Sequence, residues 1–385
     1  MKSASFQPLR VDLSELGGMC EWARTGNALH RESVHQFLGP LVIESLERYS
    51  RQMRFGPLGE EGQRRISASR VTICGCGALG TVLANHLARA GVGFIRVVDR
   101  DFIEIHNLQR QILFDEDDVA SNLPKAEAAA RKMRLINSQI TVEAVVTDID
   151  HTNILSLVSD VDLILDGTDN FETRYLINDA AVKLGKPWIF GGVIGSEGQT
   201  MTIIPGKTPC LRCVVETSPP PGMTPTCETA GVLGPAVSTI ASFEAIEALK
   251  ILSGKTESLN RDLIMVDLWN WSFRQLKVAA LLGKVDCPTC RHGKFEWLDG
   301  TMGSQTTTLC GRNAVQISTR RDDILDFQEM ASRLSEIGNV RHNAFMLRFE
   351  TEGHEFTVFP DGRAIIKGTN DIAKAKSLYA QFLGS

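Results

Sequence analysis

The hexapeptide Gly75-Cys76-Gly77-Ala78-Leu79-Gly80 constrains this chain more than any other stretch. It follows Val71-Thr72-Ile73-Cys74, an apolar run of strand length, and leads into 79–90, where apolar residues recur at helical spacing until Gly91. Between a strand and a helix, such glycines make a tight turn, let a phosphate approach the backbone, and bring helix and strand into close packing. Asp99 ends the next apolar run, Phe94-Ile95-Arg96-Val97-Val98, where a carboxylate can accept hydrogen bonds from a ribose. The turn and Asp99 together predict a nucleotide site.

The alternation of strand and helix continues. Helical spacing covers 125–136 and 171–184, and short apolar or extended runs cover 141–146, 163–166 and 188–190. Repeated βαβ units predict a Rossmann-like, doubly wound, mostly parallel sheet. After Gly198 the pattern changes to an antiparallel strand at 199–204, a helix at 233–252 and strands at 263–267 and 273–278. Trp269 and Trp271, between the last two, read as core or as a subunit contact. Residues 299–306 are small and polar, a linker composition. Beyond it, 307–385 reads as a small α+β module: strand, helix at 324–337, three more strands and a last helix at 372–382. Residues 1–46 form an N-terminal extension, loosely helical and without assigned chemistry.

Several polar residues exceed what a dinucleotide needs. Arg48-Tyr49-Ser50-Arg51-Gln52 precedes the first strand, Asn107-Leu108-Gln109-Arg110-Gln111 follows the Asp99 strand, and Lys125 opens a helix after Pro124. Asp166-Gly167-Thr168-Asp169-Asn170 ends a parallel strand, on the edge where ligands of such sheets lie. These supply cations for a triphosphate and a carboxylate for Mg²⁺. Nicotinamide chemistry has no use for them.

Nine cysteines, an odd number in a long chain without a secretion signal, fit thiols and metal ligands better than a disulfide frame. Two C-x-x-C pairs, Cys210/Cys213 and Cys287/Cys290, can close a tetrahedral, water-free shell around a structural Zn²⁺. Two unrelated or redox pairs are the competing reading. The redox version is disfavoured because neither pair opens a helix in a thioredoxin-like setting. The zinc would staple the antiparallel continuation of the main sheet.

With these motifs in order, together with Thr226-Cys227-Glu228 and Cys287-Pro288-Thr289-Cys290, residues 46–298 resemble the ThiF/MoeB/HesA family of ubiquitin-activating-enzyme-like adenylyltransferases. The resemblance implies that residues 47–298 form an adenylation domain. Using ATP and Mg²⁺, it would activate the C-terminal glycine of a small ubiquitin-like sulfur-carrier protein ending in Gly-Gly, for thiamine or molybdopterin synthesis. Carried over by position, Gly75, Gly77, Ala78 and Gly80 cradle the nucleotide, with Ala78 where relatives often have glycine. Asp99 takes the ribose, and Asn107, Arg110 and Lys125 take the phosphates. His106 lies near the nucleotide and acts through its backbone. Asp169 holds Mg²⁺ with Asn170 in support, and Arg51 reaches into the partner's site, which implies a homodimer.

Cys227, in the Pro/Gly-rich crossover, is either a covalent acceptor of the carrier or a spectator thiol. The 307–385 module lacks a rhodanese C-x-x-G-x-R loop, so the sulfur donor would be a separate protein. The rival readings are adenylation of a small molecule or tRNA group, an NAD-dependent oxidoreductase, and a non-catalytic scaffold subunit. A net charge of −5 argues against a nucleic-acid partner. No apolar run approaches ~20 residues and no signal pattern opens the chain, so a soluble cytoplasmic protein is expected.

Overall fold

In a computed structural model of the chain, the described residues are 46–217, 227–302, 307–309, 314–317, 325–351 and 353–383. Nearly all of the expected N-terminal extension therefore lies outside them. Arg70–Cys74 (β1), Phe94–Val98 (β2), Thr141–Val145 (β3), Leu163–Asp166 (β4) and Trp188–Ile194 (β5) pair in parallel, in the order β3-β2-β1-β4-β5. Glu197–Ile203 (β6), Leu263–Asp267 (β7) and Ser272–Leu276 (β8) extend the sheet antiparallel.

Both faces of this sheet are covered. Consecutive strand residues point to opposite sides, so Ile73, Val97 and Leu165 join one core while Cys74, Val98 and Ile164 join the other. The first core takes the helices Ala78–Ala90, Lys125–Ile136 and Gly234–Leu252; the second takes Phe171–Leu184 and the cysteine segments. Strand order reverses between β1 and β4, and the glycine turn follows β1. This is the place where ligands of open α/β sheets bind.

Thr307–Leu309 (β9), Ala314–Ile317 (β10), Asn339–His342 (β11), Leu347–Thr351 (β12), His354–Val358 (β13) and Ala364–Lys367 (β14) form a second, antiparallel sheet in the order β11-β12-β13-β14-β10-β9. Helices Phe327–Leu334 and Ile372–Phe382 cover one face, where Phe349, Phe356 and Phe382 pack ring against ring at 5.4–5.5 Å. Both sheets belong to one compact unit, Arg48–Ser385. Among the described residues, no helix is long and apolar enough to cross a membrane.

One alternative is excluded and one strand count is corrected. Trp269 and Trp271 are not core: they stand 76% and 90% exposed on the β7–β8 turn, where Trp271 adopts φ +52° and the Asp267 carboxylate accepts from the Trp269 and Asn270 amides. Among the described residues the C-terminal module contains six strands rather than four, because the short edge strand β11 and the β9–β10 pairing carry no alternating pattern.

Candidate active site

The glycine turn is built as its spacing requires. Gly75 has φ +89°, a left-handed conformation costly for other residues. A Cβ on Gly80 would lie 2.1 Å from the Gly75 carbonyl oxygen, so only glycine lets the helix approach β1 this closely. Gly167, after β4, is held equally close to Gly75. Above Gly77 the space is open: a Cβ there would meet only the Gly167 oxygen, at 3.8 Å. The backbone that a phosphate must approach is therefore the unobstructed one. Ala78 begins the helix whose N-terminus faces this opening.

Asp99 locks the turn in place. Its Oδ2 accepts from the Cys76 amide at 2.6 Å and its Oδ1 from the Asp101 amide at 2.7 Å. Each oxygen keeps a lone pair with which to accept a ribose hydroxyl. Burial pushes the carboxyl above the ordinary carboxylate range; Lys125 pulls it back, and Asp101 adds to the rise. Lys125 begins its helix and is buried, with Nζ 3.1 Å from Asp101 Oδ2. Asp101 was missed in the sequence, although its place two residues after Asp99 marked it.

The other expected residues lie on the loops that follow β2 and β4. Buried Asn107 accepts from the Glu104 amide at 3.0 Å and so closes the short 3₁₀ turn Ile105–Asn107. His106 is exposed, and its carbonyl accepts from Arg110 Nη1 at 2.9 Å. The start of the Gly234–Leu252 helix abuts this loop, since a Cβ on Gly234 would lie 2.9 Å from the Gln109 oxygen. Asp169 and Asn170 are exposed after β4, and Asn170 Oδ1 caps the Phe171–Leu184 helix by accepting from Thr173 N at 2.8 Å. Burial opposes charging Arg100, but the Asp148, Asp101 and Asp169 carboxylates outweigh it.

Arg51 stands apart. Tyr49 packs on Gly91, and Gln52 donates to the Ala90 carbonyl at 3.2 Å, at the far end of the glycine-turn helix. That helix has 13 residues, a length of about 20 Å. Arg51 cannot reach the turn of its own chain. Cys227 begins a short helix, Cys227–Ala230, but its side chain is outside the described residues.

Below the site lies a second buried network that the sequence did not disclose. Asp166 accepts from Thr168 N, Thr168 Oγ1 and Arg174 Nε, while Arg174 Nη2 donates to the Thr168 and Gly191 carbonyls. The residues are eight apart with a loop between, so no local period links them. Glu244 reaches toward them from the opposite helix, fully buried, with neither oxygen hydrogen-bonded. Burial raises its pKa strongly, Asp166 adds to the rise, and Arg174 opposes it. A raised carboxyl stabilises the fold fully below its unfolded value and loses that contribution as pH climbs through the folded one. Glu244→Gln should therefore flatten the decline of the thermal midpoint toward alkaline pH. An unaltered slope would mean that the carboxyl does not titrate there.

The four cysteines of the two pairs converge. Their sulfurs lie within 4.8 Å of one another, with Cys210–Cys287 at 3.5 Å, Cys210–Cys213 at 3.8 Å and Cys213–Cys290 at 3.4 Å. Tetrahedral zinc with sulfurs at ~2.3 Å has edges of about 3.8 Å, so the donor set fits. Asn178 and Asp179 brace the site from the Phe171–Leu184 helix, accepting from Leu211 N and Thr289 Oγ1.

Residues 49–289 match the sequence model of the ThiF family. The chain is 43% identical over 338 residues to the sulfur carrier protein ThiS adenylyltransferase of Bacillus subtilis (strain 168), covering 88% of this chain and 99% of that one. It is 40% identical over 252 residues to the sulfur carrier protein adenylyltransferase of Thermus thermophilus, covering 64% and 91%. Among solved structures, Escherichia coli MccB with ATP superimposes at a TM-score of 0.53 and 25% identity, over 63% of this chain and 73% of that one.

Proposed function

The chain belongs to the ThiF family, and we propose that it is an ATP- and Mg²⁺-dependent adenylyltransferase of a ubiquitin-like sulfur-carrier protein, serving thiamine or molybdopterin synthesis. One observation carries the reading: the open glycine turn, Asp99 and Lys125 meet at the carboxyl edge of β1, β2 and β4. The carrier's C-terminal carboxylate is already ionised and needs no base. Its oxygen attacks the α-phosphorus, the bond to the bridging oxygen breaks, and pyrophosphate leaves. The protein must align the two reactants and offset charge on the departing group.

Asp99 would accept the ribose hydroxyls, the Gly77 region would take the α-phosphate, and Asn107, Arg110 and Lys125 would hold the outgoing phosphates. Asp169, supported by Asn170, would hold Mg²⁺, which supplies neutralising charge. The four cysteines would hold zinc as a staple, remote from any step. Cys227 is the candidate acceptor for the activated carrier, and a separate protein would deliver sulfur.

Carrier-dependent exchange of pyrophosphate into ATP, run against small proteins ending in Gly-Gly, tests the reading. Exchange with none of them, alongside tight NAD binding, would overturn it in favour of an oxidoreductase.

The place of Arg51 by the far end of its own glycine-turn helix supports a role for it in the site of a second copy. Arg51→Ala and Lys125→Ala, each inactive alone, should recover about one quarter of wild-type exchange when mixed and reassembled, since half the dimers then carry one complete site. No recovery in a mixture that forms mixed dimers would remove Arg51 from the partner's site.

A further inference from the structure

The C-terminal sheet docks on the loop that carries the nucleotide ligands. Phe102, three residues after Asp99, packs against Phe359 with ring centroids 6.1 Å apart, in an apolar cluster with Ala314, Met346 and Ile365. Two polar ties flank this contact. From β10, Gln316 accepts from Arg100 Nη1 at 2.7 Å and donates to Asp148 Oδ2 at 2.9 Å. From β14, Lys367 Nζ lies 3.2 Å from Glu104 Oε1. A third link holds the loop before Lys125: Asn343 Nδ2 donates to the Asn122 carbonyl at 3.0 Å.

Each tie leads to a proposed ATP ligand by consecutive contacts. Gln316 holds Arg100, whose Nε lies 3.7 Å from Asp101; Asp101 pairs with Lys125, and its amide binds Asp99. Asp99 in turn holds the Cys76 amide of the glycine turn. Lys367 holds Glu104, whose amide binds Asn107 Oδ1. Asn107 and Lys125 themselves line the seam, facing Arg348 and Lys367.

We propose that the C-terminal sheet is a positioning element of the adenylation site. Gln316 and Lys367 hold the 99–107 loop so that Asp99, Asn107 and Lys125 present to ATP. The inference rests on the proposed adenylation, but it concerns ATP affinity and so is measured separately. A loop tied at both ends by another sheet loses little order on binding, and releasing the ties returns that ordering cost to the ligand.

The test uses the full-length protein with Gln316→Leu, Lys367→Met, the double variant and Lys367→Arg. Direct ATP titration should show the dissociation constant raised by about fivefold or more in the double variant, the range of ordinary site coupling. In exchange assays the ATP KM should rise likewise, while kcat and the carrier KM change less than about twofold. Lys367→Arg should retain wild-type affinity. Wild-type ATP affinity in a double variant whose carrier-dependent exchange is intact would overturn the positioning role and leave the adenylation reading standing. Weakened ATP binding in variants of a protein that shows no exchange with any carrier would support the positioning role and sink the adenylation reading.

Discussion

Lys125→Met is expected to lower carrier-dependent ATP–pyrophosphate exchange by about 10²–10³-fold, the usual cost of deleting one fixed donor from a charged transition state. The side chain is buried at the first position of its helix, 3.1 Å from Asp101 and close enough to act on Asp99. Its ammonium is the cation nearest Asp101 and the one that acts on Asp99. Without it Asp99 loses that opposing charge, Asp101 keeps Arg100, and an incoming triphosphate meets a more negative pocket. Both ATP binding and kcat should fall, since the charge on departing pyrophosphate exceeds that in bound ATP. Lys125→Arg should restore little, because a planar fork does not fit the space of a compact point charge. Exchange within threefold of wild type in Lys125→Met would remove Lys125 from the phosphates, and the charge argument for ATP with it.

Zinc removal should have the second-largest effect. Cys210 and Cys287 are buried in the second core, with Leu211, Tyr175 and Trp297 around them. Structural zinc binding is worth about 10–16 kcal/mol in zinc-finger peptides, comparable with the whole stability of a domain, about 5–15 kcal/mol. Cys287→Ser should therefore lose the metal and unfold at a far lower temperature. Strong chelation should do the same to the wild type. Metal analysis should find one zinc per chain. A protein that purifies without zinc yet keeps the wild-type midpoint in Cys287→Ser would end the staple assignment.

Much of this architecture was readable along the chain because its determinants are local. A strand, a turn with glycines at fixed offsets and an amphipathic helix each state themselves within a dozen residues, so β1, β2, β4 and their helices stand where periodicity placed them. Polar edges do not announce themselves in this way. Asn339-Val340-Arg341-His342 has no apolar face, and it is a strand only because β12 offers it hydrogen bonds. Likewise the sequence leaves Trp271 open between core and subunit contact, and a turn with positive φ excludes the core by holding it outward.

The chemistry divides along the same line. Residue order alone determined that a glycine turn between strand and helix, a carboxylate closing the next strand and four paired thiols are present, because each depends on side-chain identity at short, regular spacing. Only the tertiary structure decided what surrounds them. It set Asp101 against Lys125, buried Glu244 near Asp166 and Arg174, put Gln52, beside Arg51, at the far end of a helix about 20 Å long, and docked a second sheet on the loop after β2. Those relations join residues tens to hundreds of positions apart. Burial and low dielectric give them their strength, and neither exists until the sheet has closed around them.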